Sequence, residues 1–279
     1  MARSPNLIQL PVGSLTMAVW DWPGAEPPLV FAHGTSFHGR CWDSVILEFP
    51  GRRAVALEAR GHGRSSKPDP PYHWSGFRRD LASILEQMRV AGAIGIGHSL
   101  GGHTMAAVAA QWPGAFSALL LVDPTIRPPE AYDTPPADVS FVRKRRAQWF
   151  SPQEMFESLR GRPPFDRWNP DVLRDYCDFG LLPEGRHFGL ACPPNIEASI
   201  YECSKEPETR LQPALASVSA PVTVLRAGYA GDLPFSRSPT DPQLAAYFPN
   251  SRDVLLAERT HLIPMEAPEV VADQIRSLL

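Results

Sequence analysis

A serine flanked by glycines is the residue of this sequence best placed to do chemistry. Gly97-His98-Ser99-Leu100-Gly101 fits the pattern G-x-S-x-G, in which a tight turn between a strand and a helix exposes the serine hydroxyl. Side chains two residues to either side of that serine would collide, and glycine at positions 97 and 101 removes both collisions. Apolar residues precede the turn (AIGI) and follow it (MAAVAA). The pattern predicts that Ser99 is a nucleophile.

A glycine-rich corner of this kind can also cradle a phosphate group. Leu100, however, stands where a dinucleotide-binding fingerprint has Gly or Ala. That fingerprint opens the first strand–helix–strand unit, whereas this stretch follows the fifth strand-like run of the chain. There is no GKS or GKT for a phosphate-binding loop. The sequence therefore disfavours nucleotide binding.

A serine hydroxyl is a weak nucleophile unless a base takes its proton and an acid orients that base. His261 follows the strand-like run DVLLAE and is the candidate base. Asp232 follows the run PVTVL and is our first candidate for the acid, because the order Ser, Asp, His accompanies this serine turn. Asp123 also directly follows a strand-like run (ALLLV) and remains the alternative acid.

The elements that must position these residues are strands alternating with helices. Unbroken apolar runs such as LVFA are typical of strands buried on both faces of a parallel sheet. Helices are predicted at 77–90, 100–111 and 267–279. We therefore predict an α/β fold with a mostly parallel central sheet of about eight strands flanked by helices. The predicted strands are 7–10, 15–20, 28–32, 53–58, 93–96, 118–122, 221–225 and 253–258.

Residues 126–213 interrupt this alternation, because they contain no convincing strand and several helix starts. Ser151-Pro152-Gln153-Glu154 is a capping box, and Asn169-Pro170 and Pro193-Pro194-Asn195 begin two further helices. We interpret 126–213 as an inserted helical cap, or lid, on a core domain made of 1–125 and 214–279. The basic run at 143–146 in this cap is interpreted as a solvated face.

Composition narrows the function classes. With 279 residues, 43% hydrophobic residues and a net charge of −3, the chain is typical of a globular protein that does not bind nucleic acid. No apolar run approaches the roughly 18 residues needed to span a bilayer, and the first residues do not resemble a signal peptide. Four widely spaced cysteines indicate idle thiols. We expect a cytoplasmic location and no membrane partner, and leave a homodimer open.

Four segments in this order resemble the α/β-hydrolase-fold serine hydrolases. GHSLGG is similar to the family's nucleophile turn, and PLVFAHGTSFHGRCWD to its strand followed by a His-Gly loop. EARGHGRSSKPD resembles the segment D-x-R-G-x-G-x-S, with Glu58 in place of the usual Asp at a structural position. RTHLIPMEAPEVV resembles the histidine loop and the last helix. The loop that carries Asp232 is one residue longer than the usual G-x-x-D, which keeps Asp123 in consideration.

The resemblance implies an oxyanion hole formed by the backbone N–H groups of Thr35 and Leu100. It also implies hydrolysis of a small, apolar or aromatic carboxylic ester or lactone through an acyl-enzyme on Ser99, without metal or other cofactor. Carbon–carbon bond hydrolysis of a β-diketone or ring-cleavage product, thioester hydrolysis and perhydrolysis remain alternatives with the same residues. A receptor of this fold that binds a small molecule with little turnover is the alternative from another class. Candidate substrate-pocket residues are His33, Phe37, His98, Trp149 and Phe150.

Overall fold

A twisted sheet of eight strands forms the centre of the molecule. The computed structural model describes residues 4–135, 138–231 and 236–279. Strand labels follow chain order, and the spatial order is β1-β2-β4-β3-β5-β6-β10-β11. Only β1–β2 and β2–β4 pair antiparallel, so the fold confirms the predicted mostly parallel α/β sheet. These strands are β1 (Asn6–Val12), β2 (Leu15–Trp22), β3 (Ala25–Ala32), β4 (Arg52–Leu57), β5 (Ala93–His98), β6 (Phe116–Val122), β10 (Val222–Ala227) and β11 (Ser251–Leu256).

Helices cover the sheet, and the three predicted helices are present: 100–111 has the predicted bounds, and the other two have ends shifted by up to three residues. Six helices belong to the sheet units, and their bounds are α1 (Asp43–Ile46), α2 (Trp74–Gln87), α3 (Leu100–Gln111), α8 (Gln212–Leu215), α9 (Ile263–Glu266) and α10 (Pro268–Arg276). The four others in the described residues lie between β6 and α8, and their bounds are α4 (Ser140–Arg143), α5 (Pro152–Leu159), α6 (Pro170–Phe179) and α7 (Pro194–Glu202).

Two apolar cores lie on opposite faces of the sheet. Leu81, Met105 and Leu119 belong to the core beneath α2 and α3. Trp42, Ile96 and Val271 belong to the core beneath α1 and α10. Because both faces are buried, strands such as β5 and β6 contain almost only apolar residues or glycine, which is the pattern that made them recognisable in the sequence.

The segment between β6 and β10 contains helices, as predicted, but also a second sheet that the sequence did not indicate. Its three antiparallel strands, in the order β7-β9-β8, are β7 (Gln148–Trp149), β8 (Leu181–Glu184) and β9 (His187–Leu190). Each has only two to four residues, which is too short for a period of two to stand out. The expectation of no strand in 126–213 is therefore wrong.

The predicted helix starts in this segment are confirmed. The Ser151 hydroxyl accepts a hydrogen bond from the backbone N–H of Glu154 (3.0 Å), as in a capping box. The Asn169 side chain accepts from the N–H groups of Asp171 and Val172 and so caps α6. Proline occupies the first position of α5, α6 and α7, where its missing N–H costs nothing.

Three further observations bear on the sequence analysis. All four cysteines are buried and free. Glu58 is fully buried and accepts hydrogen bonds from the Trp20 indole (2.9 Å) and the backbone N–H of Arg64 (2.5 Å), which agrees with a structural position. Across the described ranges, helices are all too short or too polar to cross a bilayer.

Candidate active site

Ser99 lies at the sharp turn between β5 and α3. Its backbone has φ 55° and ψ −117°, a left-handed conformation that is unfavourable for a residue with a side chain. A Cβ atom at Gly97 would lie 2.5 Å from the Gly101 carbonyl oxygen, and one at Gly101 would lie 2.1 Å from the Ala32 carbonyl oxygen. Only glycine fits at these two positions, and the predicted geometry of the turn is present.

His261 lies in the loop between β11 and α9, with its ring against Ser99. The Nε2 atom of His261 is 3.0 Å from the Ser99 hydroxyl oxygen, and the Nδ1 atom is 2.6 Å from Oδ2 of Asp123. The backbone of His261 is held by two hydrogen bonds. Its N–H donates to the Ser236 carbonyl (3.0 Å), and its carbonyl accepts from Nε2 of His98 (2.8 Å). The imidazole therefore bridges a serine and an aspartate.

The aspartate in this bridge is Asp123, which directly follows β6 and is fully buried. While Oδ2 contacts the histidine, Oδ1 accepts hydrogen bonds from the Ala227 N–H (3.0 Å), the Ser238 hydroxyl (2.6 Å) and the Thr240 hydroxyl (3.3 Å). These bonds fix the orientation of the carboxylate. Asp232, our first candidate acid, lies outside the described residues.

Thr125 is a residue that sequence reasoning missed. Its hydroxyl is 3.1 Å from the Ser99 hydroxyl, and its N–H donates to the Ser99 carbonyl (3.0 Å). A threonine three residues after a strand is an ordinary turn residue, so the sequence carried no signal for this contact. The Ser99 hydroxyl thus has two side-chain partners, His261 and Thr125.

The loop after β3 lies directly against Ser99. A Cβ atom at Gly34 would lie 3.1 Å from Cβ of Ser99 and 2.9 Å from Nδ1 of His98. Thr35, the next residue, is buried and lines the same cavity as Ser99. This places the backbone of the His-Gly-Thr loop next to the serine, which is what a candidate oxyanion loop requires.

Buried histidines shape this loop. His33 donates from Nδ1 to the Gly34 carbonyl (2.7 Å) and accepts at Nε2 from the Ala59 N–H (3.1 Å). His62 accepts at Nε2 from the Ser36 N–H (3.0 Å). Burial lowers the pKa of His33 to about 4 and the pKa of His62 well below its ordinary value. Both rings are therefore neutral near pH 7 and act as fixed hydrogen-bonding supports.

A cavity of about 350 Å³ opens in front of Ser99 and His261. Aromatic and proline side chains supply much of its lining, and one cation and one anion are also present. Of the five candidate pocket residues, only Phe37 lines it. The described lining residues are Thr35, Ser36, Phe37, Ser99, Phe141, Val142, Arg145, Pro163, Pro164, Phe165, Trp168, Tyr176, Glu197, Tyr201, His261 and Leu262.

The other four candidate pocket residues lie elsewhere. His33 and His98 are buried behind the cavity wall, where they hold backbone groups. Trp149 is buried beneath the guanidinium of Arg146, whose carbon is 3.7 Å from the centre of the ring. Phe150 is 68% exposed and packs on His187. Sequence position within the inserted segment could not show which aromatic residues face inward.

The basic run at 143–146 is only in part a solvated face. Arg143 and Arg146 form exposed ion pairs with Glu202 and Glu154. Arg145 instead turns into the cavity, where Nη1 lies 2.7 Å from the buried carboxylate of Glu197. The prediction is therefore wrong for Arg145, which enters the cavity because the carboxylate on α7 attracts it.

One group in the described part of the chain has ligand atoms close enough to hold a metal ion. His73, Cys203 and Glu206 have their ligand atoms within 4.8 Å of one another. His73 and Glu206 are in hydrogen-bonding contact at 2.9 Å, and none of the three residues lines the cavity at Ser99.

A parallel sheet that holds a serine turn, a histidine and an aspartate at its carboxyl edge defines the α/β-hydrolase class. The model of the alpha/beta hydrolase family matches residues 29–274, and the chain belongs to that family.

Named relatives agree with this class. The chain is 27% identical over 219 residues to the 2-(acetamidomethylene)succinate hydrolase of Mesorhizobium japonicum, a match that covers 77% of this chain and 75% of that protein. It is 36% identical over 96 residues to a bifunctional esterase/perhydrolase of Acinetobacter calcoaceticus, which covers 33% of this chain and 35% of the relative. A crystal structure of E-2-(acetamidomethylene)succinate hydrolase superposes with a TM-score of 0.75 and 19% identity over 98% of both chains, a likeness that concerns the fold.

Proposed function

We propose that the protein hydrolyses a small carboxylic ester or lactone through an acyl-enzyme on Ser99. The observation that carries the proposal is the continuous hydrogen-bonded chain from Asp123 through His261 to Ser99 at the wall of a cavity. This chain has the members and the order of contacts of a catalytic triad. Asp123 replaces Asp232 as our candidate for the acid.

In the acylation step, Nε2 of His261 takes the proton of Ser99 while the serine oxygen attacks the ester carbonyl. The alcohol leaves when His261 returns that proton to its oxygen. Asp123 keeps the Nδ1–H tautomer of the ring and stabilises its cation. Water, activated by the same histidine, then cleaves the acyl-enzyme and regenerates Ser99.

The negative oxygen of each tetrahedral intermediate needs hydrogen-bond donors that are already in place. We assign this role to the backbone N–H groups of Thr35 and Leu100, which flank Ser99 on the loop after β3 and at the start of α3. Loss of one such donor typically costs ~3 kcal/mol of transition-state stabilisation. The close approach of Gly34 to Ser99 supports this assignment.

The inserted segment 126–213 serves as the lid in this proposal. It supplies more than half of the cavity lining, including Phe165, Trp168 and Tyr176. Those rings form a packed aromatic group in which Trp168 and Tyr176 have centroids 5.3 Å apart. A cavity with this lining favours a substrate with an apolar or aromatic portion.

A fluorophosphonate probe tests the nucleophile directly. The wild-type protein should be labelled, and Ser99→Ala and heat-denatured protein should not. A panel of p-nitrophenyl esters, lactones, thioesters and β-diketones then identifies the bond that is cleaved. Labelling that persists in Ser99→Ala would remove the nucleophile assignment, and tight binding of a panel member without any turnover would favour the receptor alternative.

A further inference from the structure

Four polar side chains form a connected group on the lid side of the cavity. We call Arg145, Tyr176, Glu197 and Tyr201 the polar wall. Nη1 of Arg145 donates to Oε2 of Glu197 (2.7 Å), and Nη2 donates to the hydroxyl of Tyr176. Tyr201 lies four residues after Glu197 in α7, so the two side chains share one face of that helix. All four residues line the cavity that contains Ser99.

The ion pair in this wall is buried. The side chain of Glu197 is only 4% exposed and that of Arg145 is 27% exposed. A buried ion pair is rarely the most stabilising choice for an otherwise apolar wall, because removing two charges from water is costly. Apolar residues of similar volume would pack the lid equally well. The pair is therefore better explained by what enters the cavity than by packing of the lid.

The wall continues into the loop that lies against the nucleophile. Burial raises the pKa of Glu197, and the side chains of Arg145 and of Ser36, which follows Thr35, lower it by less. Ser36 has a left-handed backbone (φ 69°) and also lines the cavity. The polar wall and the candidate oxyanion loop are thus parts of one surface, and a bound substrate can contact both.

The charge of this surface is balanced. Among the described lining residues, Arg145 is the one permanent cation and Glu197 is the one carboxylate, so the two cancel. An anionic substituent would lose its hydration and face Glu197 beside an arginine that is already neutralised. An uncharged polar group avoids that repulsion. It can still accept from the remaining N–H groups of Arg145, which has five, and exchange hydrogen bonds with the tyrosine hydroxyls.

We infer that the polar wall selects substrates whose acyl portion carries an uncharged hydrogen-bonding group, such as a carboxamide or hydroxyl, away from the scissile ester. This inference rests on the proposed esterase function and adds the class of acyl group. A single arginine in a cavity would suggest a substrate with an acidic acyl group. Such a substrate is disfavoured here, because Glu197 accompanies Arg145.

Esters that differ only in their end group test the inference. We would measure kcat/KM at pH 7 for p-nitrophenyl esters whose acyl chains end in isopropyl, carboxamide or carboxylate, three groups of similar shape. Chains with three, four or five methylene groups cover the depth of the cavity. We expect the best carboxamide ester to exceed both other esters of equal length by about tenfold, the ratio that corresponds to one or two retained hydrogen bonds.

Two variants alter the wall in opposite ways. Arg145→Met removes the cation and should reduce the ratio of kcat/KM for the carboxamide ester to kcat/KM for the isopropyl ester by about tenfold. Glu197→Gln leaves the charge of Arg145 unopposed, so kcat/KM for the carboxylate ester should rise about tenfold and reach that of the carboxamide ester. Arg146→Met is the matched control. Arg146 is the neighbouring residue but pairs with Glu154 outside this cavity. In this control the end-group ratios, that is, the ratios of kcat/KM among the three esters, should be unchanged.

Folding is monitored by thermal melting of each variant. If either ion-pair variant fails to fold, the test uses Tyr201→Phe, which removes one hydroxyl and keeps the ring. This variant should lower kcat/KM for the carboxamide ester selectively. Wild-type preference for the carboxylate ester, or end-group ratios unaffected by Arg145→Met and Tyr201→Phe, would overturn the inference while ester hydrolysis stands. If no ester of the set is cleaved and the fluorophosphonate does not label Ser99, the proposed function itself fails.

Discussion

The carboxylate of Asp123 lies 2.6 Å from Nδ1 of His261, although 138 residues separate them in the sequence. The sheet brings them together. Strand β6, which ends just before Asp123, lies between β5, which ends just before Ser99, and β10. A carboxylate at the end of β6 therefore reaches the histidine directly. With Nδ1 bonded to this acid, Nε2 faces the Ser99 hydroxyl oxygen at 3.0 Å.

Asp123→Asn is expected to reduce kcat by roughly 10⁴-fold. An asparagine keeps the shape but can present its amide nitrogen to the ring, which favours the wrong histidine tautomer and removes the charge that stabilises imidazolium. The measurement is kcat for the best p-nitrophenyl ester, with circular dichroism to check the fold.

Asp232→Asn is the comparison that decides between the two candidate acids. We expect it to retain activity within a fewfold of the wild type, because the observed partner of His261 is Asp123. Loss of activity in Asp232→Asn together with an active Asp123→Asn would reverse the assignment.

Thr125→Val should lower kcat/KM by about tenfold, because valine has nearly the shape of threonine but cannot bond to the Ser99 hydroxyl. We assign Thr125 a positioning role that keeps the serine oxygen oriented toward the carbonyl carbon. Thr125→Ser retains a hydroxyl and should restore most of the loss, which a role in packing alone would not produce. Equal rates of fluorophosphonate labelling in the wild type and Thr125→Val would contradict this role.

Gly101→Ala should destabilise the protein severely, by about 3 kcal/mol or more, because its Cβ would lie 2.1 Å from a backbone oxygen that cannot move without displacing β3. Gly51→Ala is the control, since a Cβ there meets nothing within 4 Å. Urea unfolding measures both. A stable Gly101→Ala protein with normal activity would show that the turn tolerates side chains.

The sequence was sufficient to predict the sheet, because strands buried on both faces appear as apolar runs. It was also sufficient to single out Ser99 and His261, because the steric demands of the turn and the order of the strands limit the choice. It could not rank Asp123 above Asp232, since both follow strands that end at the same edge of the sheet. The direction of Arg145 was equally hidden. Its inward turn depends on Glu197, 52 residues away, and on packing of α4 against α7 that no local pattern encodes.

Acid should destabilise the fold through its buried histidines, and His103 offers the clearest measurement. Burial lowers its pKa to about 4, whereas an unfolded histidine has a pKa near 6.5. Between these values the unfolded chain binds a proton that the folded chain excludes. The free energy of unfolding therefore falls as pH decreases through this window, by about 1.4 kcal/mol per pH unit for this residue.

His103→Gln isolates that contribution, because glutamine can still donate to the Thr209 carbonyl that Nε2 of His103 contacts at 2.9 Å. The variant should lose stability at pH 7.5, where the histidine is neutral and packs edge-on against Trp74. Its deficit relative to the wild type should shrink by about 3 kcal/mol between pH 6.5 and pH 4. Urea unfolding at half-unit pH steps measures the difference. A deficit that stays constant with pH would show that His103 has the same pKa in the folded and unfolded states.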